Sequence, residues 1–463
     1  MIDHIEWNRA RHFGELPSPF VRGKGERPLR ITLHSDSLAN LSGKEKDAAK
    51  VLKELSYLPE VEAVETKSGE RPYLSIGLPD PKENAIPIQI VTEGQVSMLA
   101  AISNARQLPL IAASLIGQPD PKHQDATSML NDLIIARAHC SVGRDILVTS
   151  APLLLKHRNK RGLHEANPRT PLEAAQIVGL FLRSRDIYTY AAAPKSKYSF
   201  DRGLFYWVLV RYRLPSMWRY FSACVTAGKE KDNDLLGLGE SILVRCVRAL
   251  EARDAIGIQF YMPQNKTDSD QMMYHFDYLT LVIAGAIDAQ ARVANIAYQI
   301  GDDRWASFRG KTFVKALKSK GAQELHDLVN EQRFKDVTTL LYDLRNTIHA
   351  AALKIVTYQK EAGPRHSLIK VPANLNKSIW EATERLGSPE LWGLSEKKPF
   401  GIFLEPYSYA TTLLKEGFGV IDTIAAATNF KHLLPNIEPF PPVKDTGPVD
   451  SPFRQGERIA LLA

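Results

Sequence analysis

Arg345 and His349 lie four residues apart in the segment VTTLLYDLRNTIHAAALKIVTYQ (337–359). Apolar residues recur there at close to helical spacing, and neither proline nor glycine interrupts them, so the segment predicts one amphipathic helix. Residues four apart share a helix face, one turn from each other. An imidazole that titrates near neutrality beside a fixed guanidinium could cleave RNA without a metal ion.

The chemistry would be divided between these side chains. His349 would take the proton from a ribose 2′-hydroxyl, or return one to the leaving oxygen. Arg345 would stabilise the charge that builds up on the phosphate, and Asn346 would orient the pair or the phosphate. The alternative is a solvated surface pair, because such spacings are common on exposed helices.

The segment LRNTIH (344–349) resembles the motif of the HEPN superfamily of small helical bundles. In that family an Arg, usually followed by a polar residue such as Asn, precedes a His by a longer gap than the three residues found here. The resemblance implies an endoribonuclease with Arg345, Asn346 and His349 as site residues and no cofactor. It also implies a homodimer in which two Arg/His pairs face one cleft.

Acidic residues define a second candidate site, in the N-terminal part of the chain. Asp36 follows the first predicted strand, and Asp132 opens DLIIARA, which leads to the strand LVT. Metal-dependent α/β nucleases place acids at the carboxyl edge of the sheet, where they share divalent ions. The pattern D-x-x-I-A-x-A, a short turn and then LVT resembles PIN-like nuclease domains over roughly residues 29–186.

The PIN-like resemblance implies that Asp36 and Asp132 bind Mg²⁺ or Mn²⁺ and that a third acid follows the LVT strand. Ser150 occupies that third position, so either Asp145, before the strand, or Asp125, one helical stretch earlier, would have to replace it. Glu93 could supply another ligand. Structural roles would explain the same residues equally well: a turn for Asp36, a solvated helix position for Asp132 and a loop cap for Asp145.

Composition is that of an ordinary soluble protein. The 463 residues are 44% hydrophobic and 24% charged, with a net charge of +7 and a pI near 9.0. This balance permits an anionic partner such as RNA without requiring one. Three widely spaced cysteines form neither a disulfide framework nor a zinc motif. The N-terminus has no apolar signal core, and charged residues or proline interrupt both apolar stretches (98–117 and 278–300), so we expect a cytoplasmic protein without a membrane span.

The order of predicted elements indicates two domains. After a lead (1–28), strands and helices alternate over 29–190, which predicts an α/β three-layer domain with a mostly parallel sheet. Residues 95–105 are predicted to be helical, whereas 108–114 fit either a buried strand or a short helix. Thr170 and Glu173 form a capping box for a helix over 170–186.

Strand patterns nearly vanish after residue 200, so residues 200–435 predict an all-α bundle, followed by a Pro-rich tail (436–463). The segment 202–225 alternates aromatics with arginines. It predicts a helix kinked at Pro215 with an aromatic core face, or alternatively a surface that stacks bases. Asp288 and Arg292 either pair along their own helix or orient the Arg345/His349 face.

These patterns together favour a ribonuclease, a defence or toxin-type effector that cleaves RNA through the Arg/His pair. Its partners would be RNA, a second copy of the chain and a protein of the defence system. The alternative is a non-catalytic RNA-binding or scaffold protein with degenerate nuclease domains. The three-residue spacing and Ser150 support that alternative.

Overall fold

The structure is a computed structural model that describes residues 27–434 and 455–463, except for short gaps. The gaps are 70, 81, 159, 161–162, 232–233, 262–265, 302, 351–352, 360–364 and 398. Backbone contacts divide the chain into two units at Arg202/Gly203. We call residues 27–202 the α/β unit, which also includes 359, 365 and the C-terminal 458–463, and the remainder the helical unit.

The α/β unit is built on a seven-stranded, mostly parallel sheet in the order β5-β4-β3-β2-β1-β6-β7. Its strands are β1 (Leu29–Leu33), β2 (Val61–Glu65), β3 (Tyr73–Ile76), β4 (Ala85–Thr92), β5 (Gln95–Ser103), β6 (Ile146–Val148) and β7 (Pro168–Arg169). The neighbouring pairs β3–β2, β2–β1, β1–β6 and β6–β7 are parallel, whereas β4–β3 and β5–β4 are antiparallel. A separate hairpin joins β8 (Thr189–Ala193) to β9 (Ser196–Ser199).

Helices cover the sheet and bury its apolar residues. The helices of this unit are α1 (Ser35–Leu38), α2 (Gly43–Leu55), α3 (Leu108–Ile116), α4 (Gln124–Ser141), α5 (Pro152–Lys156) and α6 (Pro171–Arg183). Side chains of α3 and α4 share one core cluster with strands β2 to β5. Alternation along β1 points Thr32 towards His139 of α4 and Ile31 towards the opposite face, where α2 packs against α6. The predicted capping box of α6 is present.

One predicted helix in this unit is wrong, because residues 95–103 form β5. Glu93 and Gly94 both adopt positive φ, at 51° and 78°, as a two-residue turn of type I′ requires. That turn returns the chain antiparallel to β4, and the pairing overrides local helical preference. The segment 108–114, for which strand and helix were both open, is α3.

The helical unit consists mainly of long helices that pack on one another. They are α7 (Arg202–Arg213), α8 (Pro215–Lys231), α9 (Leu235–Tyr261), α10 (Lys266–Ala297), α11 (Lys311–Ser319), α12 (Gln323–Asn330), α13 (Gln332–Ala350), α14 (Asn376–Arg385) and α15 (Pro406–Ala427). The segment 202–225 is divided between α7 and α8 at Leu214. Phe205 and Tyr206 are buried, which agrees with the core interpretation of its aromatics.

The prediction of an all-α C-terminal domain is wrong in one respect, because a four-stranded sheet follows α13. Its order is β10-β11-β13-β12, with β10 (Lys354–Gln359), β11 (Arg365–Lys370), β12 (Leu394–Lys397) and β13 (Gly401–Leu404). The helix predicted over 337–359 therefore ends at Ala350. The remainder, KIVTYQ, is rich in β-branched and aromatic residues and pairs with β11, so tertiary pairing decides its conformation.

The end of the chain is not an extended tail up to residue 463. Helix α16 (Gly456–Leu461) precedes Leu462 and Ala463, and both of these residues are buried. The carbonyl oxygen of Leu462 accepts a hydrogen bond of 2.6 Å from Arg183 of α6. The other part of the predicted tail, 435–454, lies outside the described residues.

In the part of the chain that the structure describes, one helical stretch, Ser269–Ala297 of α10, is long and apolar enough to cross a membrane. Most of that stretch is buried inside the protein, which is compatible with a soluble protein.

Candidate functional sites

Helix α13 carries the residues of the first candidate site. Arg345 is half-buried, Asn346 is exposed and Thr347 is buried, so the helix presents this turn partly to solvent. The backbone of His349 belongs to the same helix, one turn after Arg345, whereas its side chain lies outside the described residues. The predicted placement of both residues on one helix is therefore observed at the level of the backbone.

Tyr342, one turn before Arg345, links this face to helix α10. Its hydroxyl donates a hydrogen bond of 2.6 Å to Oδ1 of Asp288. Burial, reinforced by the charge of Asp288, raises the pKa of Tyr342, so the phenol keeps its proton. The structure describes both Asp288 and Arg292 and shows no ion pair between them. Asp288 instead contacts Tyr342 on the helix that carries Arg345, and a role in orienting the Arg345/His349 face stays a prediction.

Two guanidinium groups approach the ring of Tyr342. The guanidinium carbon of Arg309 lies 4.8 Å from the ring centroid, and that of Arg345 lies 6.0 Å from it. Both distances are within the range of cation–π attraction. Neither arginine forms an ion pair with a carboxylate among the described residues, and Asp288 is already engaged by Tyr342. We call Arg309, Tyr342, Arg345 and Asn346 the arginine–tyrosine face.

The arginine–tyrosine face also holds an unsatisfied donor. The Nε of Arg345 is buried and has no hydrogen-bond partner among the described residues, and Nη1 makes only a long contact of 3.5 Å with Oδ1 of Asn346. A buried polar group without a partner is costly, and an acceptor that reached this nitrogen, such as a phosphate oxygen, would remove that cost.

Sequence reasoning missed two members of this face. Tyr342 could have been found, because it precedes Arg345 by three residues and therefore shares its face of the helix. Arg309 belongs to the segment between α10 and α11. Only the fold brings Arg309 to Tyr342, so no local pattern could have indicated it.

The second candidate site lies at the carboxyl edge of the seven-stranded sheet, between β1 and β6. From β1 the chain continues to β2 on one side, whereas β6 pairs with β1 on the other, so ligands of α/β proteins commonly bind at this point. Here hydrogen bonds join the two loops. Thr149 Oγ1 lies 3.0 Å from Nδ1 of His34 and 3.1 Å from the hydroxyl of Ser37.

Ser150, which occupies the position of the acid expected from the PIN-like resemblance, is part of the same network. Its backbone N–H donates to Oγ of Ser37 at 3.1 Å, and its hydroxyl donates to the carbonyl oxygen of Ser37. Burial lowers the pKa of His34, against an opposing effect of the charge of Asp36. A neutral histidine and hydroxyl groups thus close this edge with bonds to one another.

The structure does not gather the predicted acids around one point. Asp36 has a side chain that is 76% exposed, and its nearest cation is Nζ of Lys67 at 3.9 Å. Burial raises the pKa of Asp132 on α4 to about 6, and no second carboxylate contributes to that shift. Asp145 precedes β6 and therefore lies at the opposite, amino edge of the sheet.

The carboxylate of Asp145 is held by hydrogen bonds from the surrounding protein. It accepts two hydrogen bonds of 2.7 Å from Arg27 and one of 2.8 Å from the backbone N–H of Arg30. The side chain is fully buried. Its acceptor positions are therefore occupied by these donors.

The other two acids also lie apart from this edge. Glu93 belongs to the turn between β4 and β5, and Asp125 lies in the first turn of α4. Within the described ranges, no three histidine, cysteine or acidic side chains are grouped as ligands of a metal ion would be.

Comparisons of the chain with protein-family models, curated proteins and solved structures found no match. The HEPN and PIN-like resemblances therefore rest on the residues quoted for them.

Proposed function

We propose that the protein is a metal-independent endoribonuclease that acts at the arginine–tyrosine face of α13. The observation that carries this proposal is the pair of guanidinium groups on Tyr342, which have no carboxylate partner among the described residues. Cations that lack a counter-ion attract an anion, and a phosphodiester of RNA matches the geometry of guanidinium donors. The net charge of +7 favours the approach of such a ligand.

His349 would supply the proton transfer, because it lies one turn beyond Arg345 on the same helix. As a base it would take the proton of the ribose 2′-hydroxyl. The 2′ oxygen would then form a bond to phosphorus while the bond from phosphorus to the 5′ oxygen breaks, and the leaving oxygen would take up a proton. Arg345 and Arg309 would stabilise the extra negative charge on the phosphate during this exchange.

A homodimer would bring a second His349 to the cleft as the donor of that last proton, as the HEPN resemblance implies. The resemblance also implies a role as an effector of defence or as a toxin, with a partner protein from the same system. These assignments depend on the LRNTIH segment alone.

A non-catalytic RNA-binding protein is the second candidate, and one observation favours it. Ser37, Thr149 and Ser150 close the carboxyl edge with hydrogen bonds, and Asp145 is engaged by Arg27. This arrangement suits an α/β unit that lacks metal chemistry. If the shorter spacing of Arg345 and His349 prevents proton transfer, the arginine–tyrosine face would still bind phosphate.

Incubation of the purified protein with RNA, with and without EDTA, tests the proposal. We expect cleavage that EDTA does not inhibit and that Arg345→Ala abolishes. Arg333→Ala is a matched control, because Arg333 is on the same helix but pairs with Glu416. Cleavage that requires a divalent ion would assign activity to the acidic residues. RNA binding that depends on Arg345 without any cleavage would support the non-catalytic alternative.

A further inference from the structure

Strand β5 forms one edge of the seven-stranded sheet, with β4 on one side and no further strand among the described residues on the other. The opposite edge is protected differently. Strand β7 has only two residues, and one of them, Pro168, has no N–H group to offer. Strand β5 has nine residues and contains neither proline nor a charged side chain. The two edges therefore differ in their capacity to accept another strand.

The register of the sheet shows which backbone groups of β5 point outward. The carbonyl oxygen of Pro87 in β4 accepts a hydrogen bond of 2.9 Å from Gly77, on the β3 side. Ala101 of β5 lies opposite Pro87, and the two residues therefore form a non-hydrogen-bonded pair. The N–H and C=O of Ala101 thus point away from β4. The same alternation directs the N–H and C=O of Leu99 and Ser103 outward.

Most of this outward edge is open to solvent. The hydroxyl of Ser141 makes a long contact of 3.4 Å with the carbonyl of Ala101, which leaves that oxygen a second lone pair. Leu99 is 73% exposed and Val96 is 51% exposed, although both are large apolar residues. Natural sheets rarely leave an uncharged edge of this length exposed, because it pairs readily with other strands.

We propose that β5 pairs in an antiparallel manner with β5 of a second copy of this chain, about a two-fold axis at Ala100. In this register Leu99 of each copy lies opposite Ala101 of the other, and the outward groups of both residues form hydrogen bonds. Met98 lies opposite Ile102, so apolar residues meet apolar residues, and Ser97 lies opposite Ser103. The interface uses the same patch on both subunits.

The two ends of the strand support a copy of this chain as the occupant. The turn that contains Glu93 precedes β5, and the turn that contains Arg106 follows it. Two-fold antiparallel pairing places the acidic turn of each copy beside the basic turn of the other. Opposite charges thus meet at both ends of an uncharged centre, which favours this register over a shifted one. This interface does not depend on the proposed ribonuclease activity.

Sedimentation velocity of the full chain at micromolar concentration, without RNA, tests the proposal. We expect a dimer whose dissociation constant rises at least about tenfold in Leu99→Lys, because two lysines then lie diagonally across the axis. Ala101→Pro removes an outward N–H group without removing a bond to β4, and it should have a similar effect. Tyr274→Lys on α10 is a matched control, since Tyr274 is also a large hydrophobic residue that is exposed, and it should leave the dimer intact.

Hydrogen exchange of the β5 amides provides a second measurement that does not require a variant to fold. Protection of the Leu99 amide should increase with protein concentration in the unmodified chain. A monomer at all concentrations would overturn the proposal, including a monomer whose β5 amides are protected by another segment of the chain. Self-association that Leu99→Lys leaves unchanged would also overturn it, because the copies would then meet through another surface, such as the α13 cleft that the HEPN resemblance implies.

Discussion

The arginine–tyrosine face of α13 and the carboxyl edge between β1 and β6 both carry polar residues at spacings that suit a functional site. They differ in whether these residues bond to one another. At the carboxyl edge, His34, Ser37, Thr149 and Ser150 bond to one another and leave few free groups. On α13, two arginines share one aromatic ring, and the described residues supply no carboxylate for either.

This difference shows what separates a structural polar cluster from a candidate site. Buried donors and acceptors that satisfy one another stabilise the loops they connect. A buried charged group left without a partner costs free energy in the unbound protein, and a ligand that supplies the partner recovers it. On α13 the buried Nε of Arg345 has the second property, which supports our proposal that the function resides on this face.

The largest expected effect is the loss of RNA cleavage in a variant of His349, and it tests whether the α13 face is catalytic. His349→Ala should reduce RNA cleavage by on the order of a hundredfold or more, because the general base or acid is lost. The rate of cleavage under saturating RNA measures this effect, and circular dichroism checks that the fold is intact. Asn346→Ala should have a smaller effect, since that side chain exchanges no proton. An unchanged rate in His349→Ala would remove histidine catalysis from the account.

Asp145→Ala tests whether the acid expected as a metal ligand in the α/β unit instead stabilises the fold. Arg27 and the backbone N–H of Arg30 would lose their acceptor, so we expect the free energy of unfolding to fall by about 3 kcal/mol. Urea denaturation measures it. The exposed Asp125→Ala is the control, with an expected change of less than about 0.5 kcal/mol. Stabilisation of the unmodified protein by Mg²⁺ that Asp145→Ala abolishes would instead indicate a metal ligand.

Arg309→Ala should weaken RNA binding by roughly tenfold or less at low salt, since one phosphate contact is lost. The slope of log K against log salt concentration should become shallower by about 0.7 for single-stranded RNA. Fluorescence anisotropy at several salt concentrations measures both quantities, with Arg333→Ala as the control. Equal losses in the two variants would mean that Arg309 contributes only general charge.

The smallest effect concerns Asp132 and its dependence on pH. Burial raises the pKa of this carboxyl to about 6 in the folded protein, above its unfolded value of 3.8. The folded state therefore binds the proton more tightly, and stability declines as pH rises from about 4 to about 6. Asp132→Asn should raise Tm at pH 7.5, with a difference that disappears near pH 4. A lower Tm of Asp132→Asn at pH 7.5 would show that the ionised carboxylate is needed.

The sequence predicted much of the α/β unit because its local patterns agree with its tertiary structure. The capping box at Thr170 and the strand predicted before Asp36 both matched the fold. The predictions were wrong where pairing with a distant strand decides the secondary structure. Residues 95–103 and 354–359 carry apolar patterns that fit a helix, and only β4 and β11 make them strands. Arg309 could not be predicted for the same reason, because its position beside Tyr342 depends on how the segment before α11 folds.

Cleavage of an RNA in which the susceptible linkage carries a 2′-deoxyribose tests the central claim most directly. The proposed mechanism needs the 2′ oxygen as the nucleophile, so the unmodified linkage should be cut in the presence of EDTA to a 2′,3′-cyclic phosphate and a 5′-hydroxyl end. The 2′-deoxy linkage should stay intact. Cleavage of the 2′-deoxy linkage, or a requirement for Mg²⁺, would contradict metal-independent catalysis by Arg345 and His349.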